Sequence, residues 1–467
     1  MLYEFVPKSN PYTMTDSNLP TSPTSNLSVF DRLNNWISSS MSLRLVIIGI
    51  LILILLIPLG MIQELIRERM YRLEDAKTEV ARLWANDQTI SGPFVTVPYT
   101  NYDFEGNASS EGILHLLPEA LEVNTTVIPE IRKRGIFEIP VYQSTNEVSF
   151  QFIPSDIPPV PSRKVHWHLA RICVGLSDTR GITDNLRFQL DGKPVEFQPG
   201  TPDLSLFDHG VSAPIALNWT DSAATTMSGK IDLTLRGSNS LSFIPLGKTT
   251  TVSMESPWPD PSFDGDFIPI TRDISDKGFT AEWKVLHYNR NFPQAFYGTQ
   301  PVHSSAFGVK LFMPVNHYQK SERSAKYAVL MIALTFILLF FSQAINHIRI
   351  HPFQYFLVGL ALSLFYTLLL SMSEHIGFDG AYAIAASMVL GLVVLYLKKI
   401  SQSWKYPLIT GGVLGGLYIY IFTLLQMEDF ALLIGSIGLF IILAVIMWMS
   451  TKIDWSGGVP AADDVEG

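Results

Sequence analysis

The side chains that are most able to bind a ligand or transfer a proton lie in two short acidic segments near the end of the chain. They are SEHIGFDG at 373–380 and QMEDF at 426–430. Each separates two long apolar runs, so we expect their carboxylates to converge at one end of a helical bundle, with Lys320 and Arg323 as counter-charges. The candidate acidic patch consists of Glu374, His375, Asp379, Glu428 and Asp429. Two interpretations stay open: an ion-pair lock or ligand-binding mouth, or solvated loop ends that reflect only a charge bias.

Motifs of the common catalytic classes are missing from the sequence. It contains no G-x-S-x-G, no Walker loop, no H-E-x-x-H and no dinucleotide-binding glycine motif. Cys173 is the one thiol that could act as a nucleophile, and its position within the strand-like run RICVGLS predicts a small core residue instead. These observations favour a protein that is not an enzyme and needs no cofactor.

Two pairs of side chains have the composition of partial metal sites. His166 and His168 flank Trp167, which would place both imidazoles on one face of a strand, but no third ligand is evident. Asp264 and Asp266 flank a glycine in SFDGDF, which lacks the further ligands of a calcium loop and indicates a turn. The sequence therefore predicts no metal site.

Six long apolar segments are the elements that must position the acidic patch. A helix needs about 20 apolar residues to cross a bilayer core, and charges are rare inside such spans because each costs about 2.5–3.5 kcal/mol at the centre. The segments are 43–62, 327–345, 353–372, 381–397, 408–425 and 430–449, and only Arg44, at an edge, is charged. They predict an integral membrane protein, with one span near the start and five near the end.

The charges of the short loops predict the orientation. Arg349, Lys398, Lys399, Lys405 and Lys452 lie in alternate loops and the C-terminal tail, whereas the loops between them are acidic. The positive-inside bias then places both termini in the cytoplasm and the long polar segment outside. Arg67, Arg69 and Arg72 after the first span argue for the reverse. We give them less weight because long translocated domains largely escape the bias.

The predicted organisation follows from these spans. It comprises a disordered cytoplasmic tail at 1–42, a transmembrane helix at 43–62, an amphipathic stalk helix at 63–89, a periplasmic β domain at 90–325, a five-helix transmembrane bundle at 327–449 and a cytoplasmic tail at 450–467. A single cysteine excludes an internal disulfide, which suits a bacterial periplasmic domain. The net charge of −9 gives no indication of nucleic-acid binding.

Short runs rich in β-branched and aromatic residues fill the polar segment. Pro, Gly, Asp and Asn separate runs such as FVTVPY, LEVNTTVI, EVSFQFI and KIDLTLR, a pattern that predicts an all-β, sandwich-like domain. A faint internal repeat relates LHLLP at 114–118 to LSFIP at 241–245, and each is followed by a Thr-rich run. Either the domain arose by duplication into two halves or the similarity is a coincidence among β-rich strings.

Glycines in the segment 408–425 predict close helix packing. Gly411, Gly412, Gly415 and Gly416 form two overlapping G-x-x-x-G pairs, the spacing that lets two membrane helices approach closely. No span carries the buried charge or the Gly/Pro break that is usual in transporters. The glycines are therefore interpreted as packing residues.

The chain resembles the CreD family of bacterial inner membrane proteins of cell-envelope integrity. The resemblance covers about 43–455 and rests on ordered strings that include LLIPLGMIQELIRER, SGPFVTVP, PSFDGDFIP, PVNHYQKSERSAKY, SEHIGFDGAYAIAA and LLQMEDFALLIGS. It implies an inner membrane protein with one large periplasmic domain and a link to envelope stress. It supplies no catalytic residues.

Three hypotheses about function remain. The first is a non-catalytic envelope protein whose β domain binds an envelope protein or a cell-wall glycan while the helices anchor it in the lipid bilayer. The second is a transporter or lipid-handling protein that uses the acidic patch, and the third is an enzyme of wall or lipid modification. The sequence does not specify the oligomeric state.

Overall fold

Seven α-helices and two β-sheets make up the described part of the chain. The computed structural model describes residues 41–154, 160, 162–203, 206–217, 219, 226–311, 317–346, 350–401, 403–427 and 430–452. The predicted tails at 1–42 and 450–467 lie almost entirely outside these residues. Chain contacts define two compact units. The helical unit comprises residues up to Leu59, Tyr327–Leu364 and the residues from Met388 onward, and the β unit comprises Gly60–Lys326 and Phe365–Ser387.

The helices begin and end close to the apolar segments of the sequence. They are α1 Met41–Trp84, α2 His317–Lys326, α3 Ala328–Asn346, α4 Pro352–Ile376, α5 Phe378–Ser401, α6 Lys405–Gln426 and α7 Ala431–Ser450. Five are long and apolar enough to cross a bilayer, and a sixth span results if α2 and α3, which meet at a bend of 42°, are counted as one. The prediction of several apolar helices beside a large β-sheet domain is confirmed.

Two boundaries differ from the predicted ones. The stalk continues the helix of the first apolar segment without interruption, which makes α1 44 residues long, but it ends at Trp84 rather than at 89, and the first strand begins at Gln88 rather than at 90. The end of the predicted β segment is helix α2, with the sequence HYQKSERSAK. This sequence contains no β-branched residue and four lysine, arginine or glutamate residues, which favour helix over strand.

Eighteen strands in the β unit form a ten-stranded and an eight-stranded sheet. They are β1 Gln88–Tyr102, β2 Ala108–Leu116, β3 Ala120–Arg134, β4 Phe137–Phe152, β5 Arg163–Val165, β6 Arg171–Leu176, β7 Arg187–Leu190, β8 Lys193–Val195, β9 Gln198–Pro199, β10 Gly210–Pro214, β11 Met227–Ser238, β12 Ser240–Ile244, β13 Thr249–Ser256, β14 Pro261–Gly265, β15 Thr271–Ser275, β16 Gly278–Leu286, β17 Ala295–Tyr297 and β18 Phe307–Leu311. Each run quoted above for the polar segment coincides with a strand.

In both sheets, strands from the first half of the domain sequence lie next to strands from the second half. The larger sheet has the order β14-β18-β12-β1-β6-β10-β9, with β2 and β5 also paired to β1 and β17 to β2. The smaller sheet has the order β15-β16-β13-β3-β4-β11-β7-β8. Two neighbouring pairs are parallel, β1 with β12 and β3 with β13. Each sheet is therefore completed by strands that are distant in the sequence.

One hydrophobic core receives side chains from both sheets. Along β3, buried and exposed residues alternate, as expected for a strand with one buried face. Trp283 of the smaller sheet is fully buried, and its ring centroid lies 5.7 Å from that of Phe263 and 5.8 Å from that of Phe307 in the larger sheet. This packing between sheets is the arrangement expected of a sandwich.

The two copies of the faint repeat take similar paths. LHLLP leads from β2 in the larger sheet into β3 in the smaller one, and LSFIP leads from β12 in the larger sheet into β13. The antiparallel partners of β3 and β13 are β4 and β16. Duplication would produce this equivalence, and it stays a prediction.

In the helical unit, the four glycines of α6 divide into two faces. A Cβ atom at Gly411 would lie 2.5 Å from the Val394 side chain of α5, and one at Gly415 would lie 3.8 Å from Leu390. At Gly412 and Gly416, no heavy atom of the described neighbouring residues lies within 4 Å of that position. The packing of α6 against α5 therefore uses one of the two G-x-x-x-G pairs, Gly411 and Gly415.

The end of α1 and the residues that follow it are held against the β domain by cation–π contacts and a hydrogen bond. The guanidinium groups of Arg132 and Arg236 lie 4.5 and 4.4 Å from the Trp84 ring centroid. Asp178 accepts a hydrogen bond from the backbone N–H of Asn86 at 3.0 Å and pairs with Arg180 at 2.7 Å. The hydrogen bond from Arg180 lowers the pKa of the Asp178 carboxyl to about 2, although burial opposes this shift.

We expect this carboxylate to make the stability of the domain dependent on pH. Because its pKa is lower in the folded than in the unfolded state, its contribution of about 2 kcal/mol is present above pH 4 and is lost as the pH falls towards 2. Asp178→Asn should therefore lower the free energy of unfolding by about 2 kcal/mol at pH 7, with a difference that shrinks between pH 4 and pH 2. Denaturant unfolding measures this effect, and Asp276→Asn, an exposed carboxylate, is the control. An equal loss at both ends of the pH range would contradict this account.

Candidate functional site

The β unit contains a cleft of about 650 Å³ at the place where the stalk half of α1 approaches the β domain. Its walls come from α1, from the start of β4, from α2 and from the turn between α4 and α5. The polar side chains that line it include Lys77, Asp87, Glu138, His317, Glu374 and His375. Residues from seven separate parts of the sequence therefore meet around one space.

Glu374 occupies the last turn of α4, and the local sequence explains its position. Gly377 follows one residue after the end of the helix with φ of +78°, a left-handed conformation that glycine adopts without strain and that commonly ends helices. The chain then enters α5 at Phe378. This tight turn places Glu374 at the end of the helix pair formed by α4 and α5.

The carboxylate of Glu374 links three helices. Its Oε1 atom accepts a hydrogen bond from the Tyr318 hydroxyl at 3.0 Å and lies 3.7 Å from Nε of Arg69. The Glu374 side chain is only 11% exposed and that of Arg69 is 33% exposed, so water screens this pair less than a surface ion pair. The contacts hold α1, α2 and α4 together beside the cleft.

Tyr318 acts as a hydrogen-bond donor in this network. Its side chain is buried, and burial, followed by the charge of Glu374, raises the pKa of the Tyr318 hydroxyl well above its usual value. The hydroxyl therefore keeps its proton near neutral pH. The ring also approaches Phe137 at the start of β4, with a centroid distance of 6.2 Å. Tyr318 thus connects the helices with the β domain.

Two histidines face the cleft. Burial lowers the pKa of the His317 imidazole and the charge of Lys320 lowers it further, while Glu138 and Asp379 act in the opposite direction. Its Nδ1 atom is buried and has no hydrogen-bond partner in the described chain. His375 is exposed. The cleft therefore combines carboxylates with an imidazole that remains neutral at physiological pH.

The structure brings part of the predicted acidic patch together. Glu374 and His375 line the cleft, and Asp379 lies in the first turn of α5, close enough to His317 to influence its charge. Glu428 and Asp429 lie outside the described residues. The patch as a five-residue cluster stays a prediction.

The carboxylate of Glu374 pairs with Arg69, a cation that the sequence analysis did not assign to the acidic patch. Arg69 reaches this carboxylate because α1 continues as a helix beyond its apolar half and carries Arg69 to the end of α4. Lys320 and Arg323 as counter-charges of the patch stay predictions. The ammonium group of Lys320 lies 5.6 Å from the ring centroid of Phe378.

A sequence signal for Arg69 was present in the helical periodicity of the stalk. Ile66 is fully buried and Ala76 nearly so, and Arg69 follows Ile66 by three residues on the same side of the helix. One turn before Ile66, the Gln63 side chain donates to the carbonyl of Ala325 in α2 at 3.3 Å. The buried stripe of α1 therefore includes the arginine that we had considered only as an exception to the charge bias.

The residues considered in the sequence as partial metal sites have structural roles. His166 precedes a short 3-10 helix at Trp167–Leu169, so the expected strand face with His168 does not form, because the chain turns there. The His166 ring bonds the Thr100 hydroxyl at 2.9 Å. Asp264 lies in β14 and pairs with Lys310 at 2.5 Å.

Neither a thiol nor a metal cluster adds chemistry to the cleft. Cys173 is fully buried in β6, as predicted, and burial raises the pKa of its thiol to about 12. Among the described residues, no group of three or more His, Cys, Asp or Glu has the arrangement of a metal site.

Comparisons with known proteins identify related sequences. The family model described as inner membrane protein CreD matches residues 40–456. The inner membrane protein CreD of Escherichia coli is 31% identical over 420 residues, which cover 86% of this chain and 91% of that protein. Among solved structures, an M1 zinc metallopeptidase from Deinococcus radiodurans shows 11% identity over 74% of this chain and 95% of its own, with a TM-score of 0.22. A TM-score this low carries no argument about fold or activity.

A double-mutant cycle tests the link between Arg69 and Glu374. Arg69→Gln and Glu374→Gln should each lower the free energy of unfolding, and the double variant should lose about 1–2 kcal/mol less than the sum, because the second substitution removes a charge that is already unpaired. Thermal unfolding in lipid nanodiscs measures these losses. The matched control is the exposed pair of Arg72 and Glu68, whose coupling should be about 0.3–0.5 kcal/mol. Additive losses for Arg69 and Glu374 would exclude the proposed link.

Proposed function

Because the chain belongs to the CreD family of inner membrane proteins, we propose that it is a non-catalytic protein of cell-envelope integrity and stress response. In this proposal the β domain faces the periplasm, both termini are cytoplasmic and the six apolar segments cross the inner membrane. The domain binds a ligand or partner in the cleft beside Glu374, and the helices anchor that complex in the bilayer.

The observation that carries the proposal is the composition of the cleft walls. A ligand in the cleft would contact α1, the β domain and the turn between α4 and α5 at the same time. Glu374 and Tyr318 already join these elements. Occupancy of the cleft would therefore favour one arrangement of stalk and helix ends over others, which is the physical requirement for signalling by a bound ligand.

The charges of the loops support the proposed orientation. The turn that carries Glu374 belongs to the same unit as the β domain, as expected if both lie on the outer side. That turn contains carboxylates and no lysine or arginine. The basic residues Lys398 and Lys399 lie at the opposite end of α5, in its last turn.

Two serine hydroxyl groups of the cleft support a binding role rather than catalysis. Nucleophilic catalysis by serine requires a base within hydrogen-bond reach of the hydroxyl. The Ser373 hydroxyl donates to the carbonyl of Leu370, and Ser238 Oγ has no hydrogen-bond partner in the described chain. Neither serine is therefore activated for attack.

Lipid handling is the second candidate function, and the apolar part of the lining favours it. Leu73, Ile136, Phe137 and Leu311 line the same cleft as the charged groups. A lipid presents both a polar headgroup and apolar chains, and this lining offers partners to both. A cell-wall glycan or an envelope protein would use mainly the polar side chains.

Blocking the cleft tests the proposed function. Thr78 lines the cleft on α1, and Thr78→Trp should fill part of it without changing any charge. In a deletion strain exposed to a β-lactam, this variant should fail to restore survival because the ligand no longer fits. Leu83→Trp is the matched control, since Leu83 lies on the same helix, is 77% exposed and is not part of the lining.

Membrane abundance of both variants must equal that of the wild type for the comparison to hold. Full protection by Thr78→Trp at equal abundance would rule out the cleft as the functional site. The ligand class is read from thermal unfolding of the purified protein. A stabilisation by phospholipid that Thr78→Trp abolishes favours lipid handling, and one by peptidoglycan fragments favours the wall-binding function.

A further inference from the structure

Arg290 is a buried cation without an acidic partner among the residues that the structure describes. It follows the short 3-10 helix at His287–Asn289 and is 8% exposed. Its guanidinium lies 4.1 Å from the ring centroid of Phe292 and donates to the carbonyl oxygens of Phe292 and Leu246, the latter at 3.2 Å. Its Nε atom is buried and has no hydrogen-bond partner in the described part of the chain.

A lone buried charge is costly, so proteins normally compensate it. Removing an ion from water costs several kcal/mol even after relaxation, and this cost is offset by a carboxylate or by a bound ion. Within the described chain, Arg290 takes part in no ion pair. Burial alone accounts for the lowered pKa of its guanidinium, about 10, which leaves the group charged at neutral pH. The compensating anion must therefore come from elsewhere.

The hydrogen-bond inventory of Arg290 leaves donors available for such an anion. A guanidinium carries five N–H donors in a rigid fork. Two are directed at the carbonyls of Phe292 and Leu246, and three, including that of Nε, are not. A carboxylate or phosphate can accept two parallel hydrogen bonds from Nε and a terminal nitrogen, which is the geometry that arginine recognises best.

The surroundings of Arg290 contact both connections between the two sheets, and the net positive charge there is that of Arg290 itself. Leu246 lies in the connection from β12 to β13, and Gln294 donates to the carbonyl of Pro118 in the connection from β2 to β3. Lys248 lies in the same connection as Leu246, and the acidic side chain near it, Glu119, is already paired with it at 2.9 Å. An anion would therefore meet a net positive site.

The site lies far from the cleft. Strand β3 begins beside this crossover, at Ala120, and its last residue, Arg134, is two residues before Ile136 in the cleft lining. At about 3.3 Å per residue, the strand separates the two places by roughly 45 Å. Arg290 therefore belongs to the end of the β domain that is remote from the stalk.

We propose that Arg290 is the centre of an oxyanion-binding site, which takes a carboxylate or phosphate group of a molecule in the cell envelope. The oxyanion accepts two hydrogen bonds from the free edge of the guanidinium. Protein atoms cover Nε, so binding requires the groups that cover it to move aside. Tyr288, two residues before Arg290, is 83% exposed. This site is independent of the function proposed for the cleft.

Anion titration of the full-length protein in nanodiscs tests the proposal. Thermal unfolding is followed with phosphate or with acetate, each up to tens of millimolar, at an ionic strength held constant with sodium chloride. The wild type should gain stability in a saturable manner, because only the folded state offers the site. Phosphate also stabilises proteins without binding them, but that effect does not saturate at these concentrations. The anion with the higher apparent affinity identifies the group that binds at Arg290 as a phosphate or as a carboxylate.

Matched variants assign the effect to Arg290. Arg290→Gln should weaken the apparent affinity at least tenfold, whereas Lys284→Gln, which removes an exposed cation from β16, should leave it unchanged. Equal responses of the wild type and Arg290→Gln would overturn the proposal. If that variant does not fold, the wild-type titration decides alone, since the absence of a saturable response to both anions also overturns it.

Discussion

Helix α1 must satisfy two solvents along one continuous helix, in which Pro58 has no backbone N–H to donate. Its first half is apolar, as the bilayer demands, because a polar or broken backbone in hydrocarbon is costly. Its second half carries alternating charges and a buried stripe, as a helix against a protein surface requires. Since no turn interrupts it, the positions of Arg69 and Trp84 are set by helix geometry alone. The network at Glu374 and the attachment of the β domain both depend on that continuity.

Much of the architecture could be predicted from local patterns. Apolar length located the helices, and alternation such as that of LEVNTTVI located the strands, because both patterns reflect burial along a single element. Helix α2 was assigned to the β domain because its neighbours are strands, although its own composition favours helix. The sequence thus predicts helix or strand correctly where buried residues recur at a regular spacing. The prediction fails at α2, a short polar helix that follows the strands.

The candidate site could be predicted only in part. Glu374 stood out because carboxylates are concentrated in a loop between spans, but its partners Arg69 and Tyr318 are remote in the sequence. Pairing across such distances depends on tertiary packing, which a single sequence does not encode in any local pattern. Arg290 illustrates the same point, since arginine is mostly exposed and nothing in the string HYNRNF indicates burial. The burial of such polar groups is therefore evident from the folded structure and not from the sequence.

The two parallel strand pairs have a consequence for how the domain is made. Gln88 pairs with Leu241, and Ala120 pairs with Thr249, so neither sheet can close until residues about 130–150 positions further along have emerged. Contacts this distant in sequence slow folding, because the chain must lose loop entropy before it gains contacts. During that interval the unpaired edges of β1 and β3 are exposed to aggregation and proteolysis. Helix α1 precedes both strands, so the incompletely folded domain is already attached to α1 during this interval. The yield of folded domain then depends on the rate of sheet closure relative to the rate of degradation.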